Sequence, residues 1–152
     1  MFEFVFKIIL TTVSVSAFSV LDRARKTVVV IASVGGALTF TAEYILLMKS
    51  ENVFLIYFLS AGVTCLYSEV MARVKKMPVT IIMLPAMIPL VPGSLMYYSM
   101  RGLLEGSLSV YRTNIIEVLL SAGGIASAAA LVGALASLYK RAVSLIASGR
   151  HG

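Results

Sequence analysis

Apolar residues run in five long blocks separated by short polar segments. The blocks cover about residues 2–20, 27–48, 53–72, 79–100 and 114–139. Each residue of an α-helix advances about 1.5 Å, so about 20 of them cross a hydrocarbon core of ~30 Å. The pattern predicts an all-α integral membrane fold, a five-span helical bundle. The polar segments 21–26, 49–52, 73–78 and 101–113 are too short for a soluble unit, so one transmembrane domain over 1–152 is expected.

Composition agrees. Hydrophobic residues make up 59% and charged residues 13%, against about 25% charged in soluble domains; the mean hydropathy is +0.96. One cysteine (Cys65) and one histidine (His151) exclude an internal disulfide and a His/Cys metal cluster. No glycine-rich phosphate-binding motif occurs, so no cofactor and no metal are expected. An acid, base and nucleophile constellation is also missing, which argues against an enzyme.

The net charge of +6 changes the picture only through its distribution. Segment 21–26 holds Arg23, Arg25 and Lys26, segment 73–78 holds Arg73, Lys75 and Lys76, and the tail holds Lys140, Arg141 and Arg150. These nine of the 13 basic residues share one side if five spans alternate. The positive-inside rule then places the N-terminus outside and the C-terminus in the cytoplasm, and accounts for the charge without nucleic acid. Residues 1–20 also fit a signal peptide, but Glu3 stands where a basic n-region belongs.

The fourth block contains all four prolines. Pro78 suits a helix start. Pro85, Pro89 and Pro92 are interior, and each lacks the N–H that bonds the carbonyl four residues back, freeing those of Ile81, Pro85 and Ile88. Gly93 permits a turn and Ser94 can cap a new half-helix. The expectation is a Pro/Gly-broken fourth helix. In hydrocarbon, freed backbone groups need protein or a water-filled cavity, and such breaks form the midplane sites of secondary transporters. A packing kink is the plainer alternative.

Lys75-Lys76-Met77-Pro78-Val79-Thr80, followed by Pro85-Ala86-Met87-Ile88-Pro89-Leu90-Val91-Pro92-Gly93-Ser94 and Tyr97, resembles the signature of the threonine/serine exporter family. The last span is similar too, with Thr113-Asn114 opening a small-residue helix that ends in Tyr139-Lys140-Arg141. The whole chain resembles the short membrane subunit of the family's two-gene form. The resemblance implies export of small polar metabolites, such as threonine and serine or C4-dicarboxylates such as succinate. It also implies a larger membrane subunit of the same family as partner, in addition to membrane lipid.

The candidate substrate-binding residues are Pro85, Pro89, Pro92, Gly93, Ser94, Tyr97 and Asn114. Tyr97 follows the break by about one turn, where a phenol can bond a substrate; the alternative is an interfacial aromatic. Asn114 carries an amide for substrate or serves as an N-cap. Glu117 and Glu69 are the candidates for proton coupling, because intramembrane acids tend to be paired or functional. Glu69 also precedes Arg73 by four residues, the favourable order for a helical ion pair. Glu43 reads as a snorkelling acid. Small residues recur at Ser33, Ala37 and Thr41 and at Ala129, Gly133 and Ser137, a spacing that lets helices approach within the chain, in a homo-oligomer or against a partner. A non-transporting assembly subunit and a homo-oligomeric channel remain as other readings.

Overall fold

Long apolar runs without interior proline form four uninterrupted helices, and the proline-rich block forms two short ones. The computed structural model describes residues 2–148, with side chains over 3–139 and at 141; Arg150, His151 and the Lys140 side chain lie outside the described residues. All regular structure among them is helical: α1 (Phe2–Leu21), α2 (Lys26–Lys49), α3 (Val53–Lys75), α4 (Val79–Ala86), a 3₁₀ turn (Ile88–Leu90), α5 (Gly93–Leu104) and α6 (Leu108–Ser148). Four helices are long and apolar enough to cross a membrane, counting Glu3–Leu21 of α1 and Leu108–Tyr139 of α6. The pair Val79–Ala86 and Ile88–Leu104 also passes together but is bent by 43°. The chain is a multi-pass membrane protein with four candidate spans, or five when the bent pair is one span.

α1 and α3 stop by the same device. Ala24 N–H donates to Ser19 O (3.0 Å) and Arg23 N–H to Val20 O (3.0 Å), while Met77 N–H donates to Ala72 O (3.0 Å) and Lys76 N–H to Arg73 O (3.3 Å). This is the Schellman arrangement, in which a left-handed residue reverses the chain and satisfies the last carbonyls. Arg23 (φ 55°) and Lys76 (φ 52°) occupy the left-handed position. Glycine is usual there, and a side chain costs about 1 kcal/mol at each.

Residues 101–113 are not the polar connector that the sequence suggested. α5 runs to Leu104 and α6 begins at Leu108, leaving three linking residues. Arg101 Nε and Glu105 Oε1 pair at 2.8 Å across one turn, so these charges decorate a helix end. Gly106, at φ +72°, makes the reversal. The last span therefore starts before residue 114. Asn114 lies in the second turn of α6, where its Nδ2 donates to Val110 O at 2.8 Å; it is not an N-cap.

The helices pack in an open series: α1 on α2, α2 on α3, α3 on α6 and α6 on α5, with α4 lying across α2 and α3. Small and hydroxylated residues fill the contacts. Ser16 Oγ meets Ser33 Oγ at 2.7 Å between α1 and α2, and Tyr67 of α3 donates its hydroxyl to Ile31 O at 2.9 Å. On α6 the buried stripe is Ser121, Gly124, Ala128, Val132 and Ala136. It stands one residue away from the expected Ala129, Gly133 and Ser137, of which Gly133 and Ser137 are exposed. Ser33 of the other stripe is buried as expected.

Thr39 and Thr64 join α2 to α3 through a 2.6 Å contact between their hydroxyls. Each also reaches a carbonyl of its own helix, Gly35 O (2.8 Å) and Ser60 O (2.9 Å). Two protons serve three contacts, so the interhelical bond is made at the expense of one local bond. Thr39→Val is expected to destabilise the fold by about 0.6–1.7 kcal/mol, the range of such bonds inside membranes. A Thr39→Val/Thr64→Val double-mutant cycle on thermal unfolding in detergent checks this; strictly additive losses would remove the coupling.

Candidate functional site

The backbone around the prolines determines the shape of this region. Met87 N–H still reaches Met83 O (3.0 Å), after which the helix tightens: Leu90 N–H donates to Met87 O (3.0 Å) and Val91 N–H to Ile88 O (3.1 Å). The Ile88 carbonyl, freed by Pro92, is thus taken up by the 3₁₀ turn. Gly93 N–H donates to Val91 O at 2.7 Å. Ser94 does not cap α5; Pro92 holds the N-cap position, with φ −77°, ψ 56° and no side-chain bond. Gly93 is the first residue of α5, and among the described glycines only Gly106 has a positive φ. The prolines, rather than a glycine turn, make the break.

Pro85 is fully buried, and Leu90 of the 3₁₀ turn packs with Ala61 of α3 and Ala128 of α6. Pro89 and Ile88 face α1 across a cavity of about 240 Å³ that includes Thr11 and Ser14. Beyond the break, α5 rests on α6 through buried Ser99 and Gly102. Gly93, Ser94 and Tyr97 lie on the exposed side of α5. Tyr97 is 63% exposed and stands edge-on to Tyr98, with ring centroids 5.5 Å apart. A Cβ added at Gly93 would meet open space.

The two expected proton carriers occupy different levels. Glu69 Oε1 lies 3.8 Å from Arg73 Nη2, the anticipated i,i+4 pair. Glu69 also borders a cavity of about 260 Å³ with Thr80 and Met83 of α4 and Gly133 of α6. Arg73 in turn stacks over the Tyr139 ring at 4.8 Å. Glu117 lies in the other half of the bundle, in the field of Tyr57. Tyr57 also lies close to Glu43. Twelve residues of α3 separate Tyr57 from Glu69, about 18 Å along the axis.

Tyr57 was not weighed in the sequence reading, and Glu43 was read there as a snorkelling acid. They belong to helices joined by a tight turn and stand seven residues either side of Ser50, a symmetry that makes them antiparallel neighbours. Glu43 is half-buried and lies near Tyr57, as Glu117 does. Tyr57 packs against the cluster of Ala61, Leu90 and Ala128, which includes a residue of the 3₁₀ turn. Cys65 is a buried filler, its thiol 3.8 Å from Met83 Sδ.

Among the described residues, no group of three or more His, Cys, Asp or Glu is disposed to hold a metal ion. The sequence over residues 7–135 matches the family described as Threonine/Serine exporter, ThrE. Neither a curated protein nor a solved structure matches the chain.

Proposed function

From the premise that this chain belongs to the threonine/serine exporter family, we propose that it is one half of a proton-coupled secondary exporter. Its substrates are small polar metabolites, either threonine/serine-type amino acids or C4-dicarboxylates, and it works with a second, larger membrane subunit. The observation that carries this reading is the position of Tyr57, near Glu43 and Glu117 and packed against the cluster of Ala61, Leu90 and Ala128. A proton gained or lost at the carboxylates thereby acts on the broken segment.

The substrate site is the backbone from Pro85 to Ser94 together with Tyr97. The N-terminus of α5, without a side-chain cap, offers a partial positive charge to a substrate carboxylate. Asn114 follows on α6. The exposed side of α5 supports an incomplete site that a partner subunit closes. Glu117 with Glu43 is the proton site; Glu69, paired with Arg73, is a second candidate nearer the basic side. The charge distribution supports an N-terminus outside and a cytoplasmic C-terminus.

The test is efflux of labelled threonine, serine and succinate from proteoliposomes across a pH gradient, with and without the partner. Gly93→Leu is the informative variant, because the added side chain enters open space. Efflux is expected to require both subunits and to fall roughly 100-fold in Gly93→Leu, the scale of a misplaced substrate, with an unchanged melting temperature. Normal efflux in Gly93→Leu would remove the break from the site; no efflux from a stable complex would leave an assembly subunit.

A further inference from the structure

A cavity of about 480 Å³ opens where the α1–α2 and α3–α4 turns meet. Arg23, Arg25 and Lys76 line it with a single acid, Asp22, and Val28 and Ile81 form an apolar wall. The proposed substrate and proton sites use none of these groups. α2 and α4 both begin here, after Arg25 and Pro78 in extended conformation, and neither has a side-chain cap. Their N–H ends add to the positive potential of the three cations.

The backbone supplies a second observation. Arg23 and Lys76 are the two non-glycine residues with positive φ among the described residues, and both line this cavity. Each helix end would be less strained with glycine. Two equivalent turns thus keep a cation at a strained position, facing the same space.

We propose that this cavity binds the phosphate headgroup of an anionic phospholipid. Arg23, Arg25 and Lys76 take the phosphate oxygens, as basic pockets between membrane helices do for acidic lipids. Val28 and Ile81 receive the adjoining methylenes. Asp22 leaves a surplus of two positive charges at neutral pH, which selects an anionic headgroup over a zwitterionic one. The level fits as well, since the cavity lies at helix ends, where headgroups meet the apolar core.

The experiment is thermal unfolding of the purified full chain in neutral detergent. The additions are phosphatidylglycerol, cardiolipin, phosphatidylcholine, glycerol phosphate or succinate. The two anionic lipids are expected to raise the melting temperature by several degrees, and the other three to leave it unchanged. Arg23→Gly/Lys76→Gly is expected to melt higher than the parent without lipid, because the strain is relieved, and to lose the lipid-dependent rise. An equal response to phosphatidylcholine overturns the proposal. So does a rise with glycerol phosphate or succinate, which would mark a soluble-anion site, or a full lipid response in the double variant. If the glycine variant melts lower, Arg25→Gln/Lys76→Gln decides: a retained response to anionic lipid overturns the site.

Discussion

In Glu117→Gln protein, net efflux driven by an imposed pH gradient is expected to fall by roughly 100-fold, the scale on which a lost proton-transfer group is felt. Exchange of labelled for unlabelled substrate is expected to persist. Glutamine mimics the protonated acid in shape and charge but has no proton to release, so a cycle that needs net proton transfer stops, while exchange, which needs none, does not. Glu43→Gln is expected to behave alike, because both carboxylates lie near Tyr57. Tyr57→Phe keeps the ring on the Ala61, Leu90 and Ala128 cluster and removes only the hydroxyl, for an expected loss of roughly tenfold. Retained gradient dependence in both glutamine variants would transfer the role to Glu69, where Glu69→Gln makes the same comparison.

The second large effect is structural. Gly124→Leu is expected to cost more than about 3 kcal/mol and to leave little monodisperse protein in detergent. A Cβ at Gly124 would stand 2.8 Å from Phe54 O and 3.0 Å from Phe58 N. Both are backbone atoms of α3, so no rotamer change relieves the clash and α3 must separate from α6. Even Gly124→Ala should cost about 1–3 kcal/mol, the usual penalty of overpacking. Gly133→Leu is the control, since nothing lies within 4 Å of its Cβ position; its effect on the isolated chain is expected within about 0.5 kcal/mol. Equal losses at the two positions would show that the close α3–α6 crossing does not limit stability.

The apolar blocks were legible as helices because lipid leaves a backbone little choice. The break was legible from its prolines, and the Glu69–Arg73 pair from its spacing. The end of α5 was not, because Arg101 and Glu105 resemble loop charges until they are seen to pair across one turn. That misreading moved the start of α6 and gave Asn114 a capping role it does not have. The face that α6 packs within the chain stands one residue from Ala129, Gly133 and Ser137, because its composition is almost uniformly small and helical spacing selects no single face. The polar side of α3 also escaped notice, although Ser60, Thr64 and Ser68 recur every fourth residue and are all buried. Glu117 comes near Tyr57 from a helix distant in sequence, and one chain read alone carries no trace of such an approach.

α6 is 41 residues long, roughly 62 Å at helical rise, and all four prolines of the chain lie outside it. Were it to rock as a rigid rod on the tight crossing at Gly124, it would act as a lever. Glu117 stands on the short arm and Ser148 on the long one. Rocking the rod by about 5° would carry Ser148 through roughly 3 Å but Glu117 through only roughly 1 Å. Anything that grips the far end thus works on the carboxylate with a mechanical advantage of more than threefold and no joint in between.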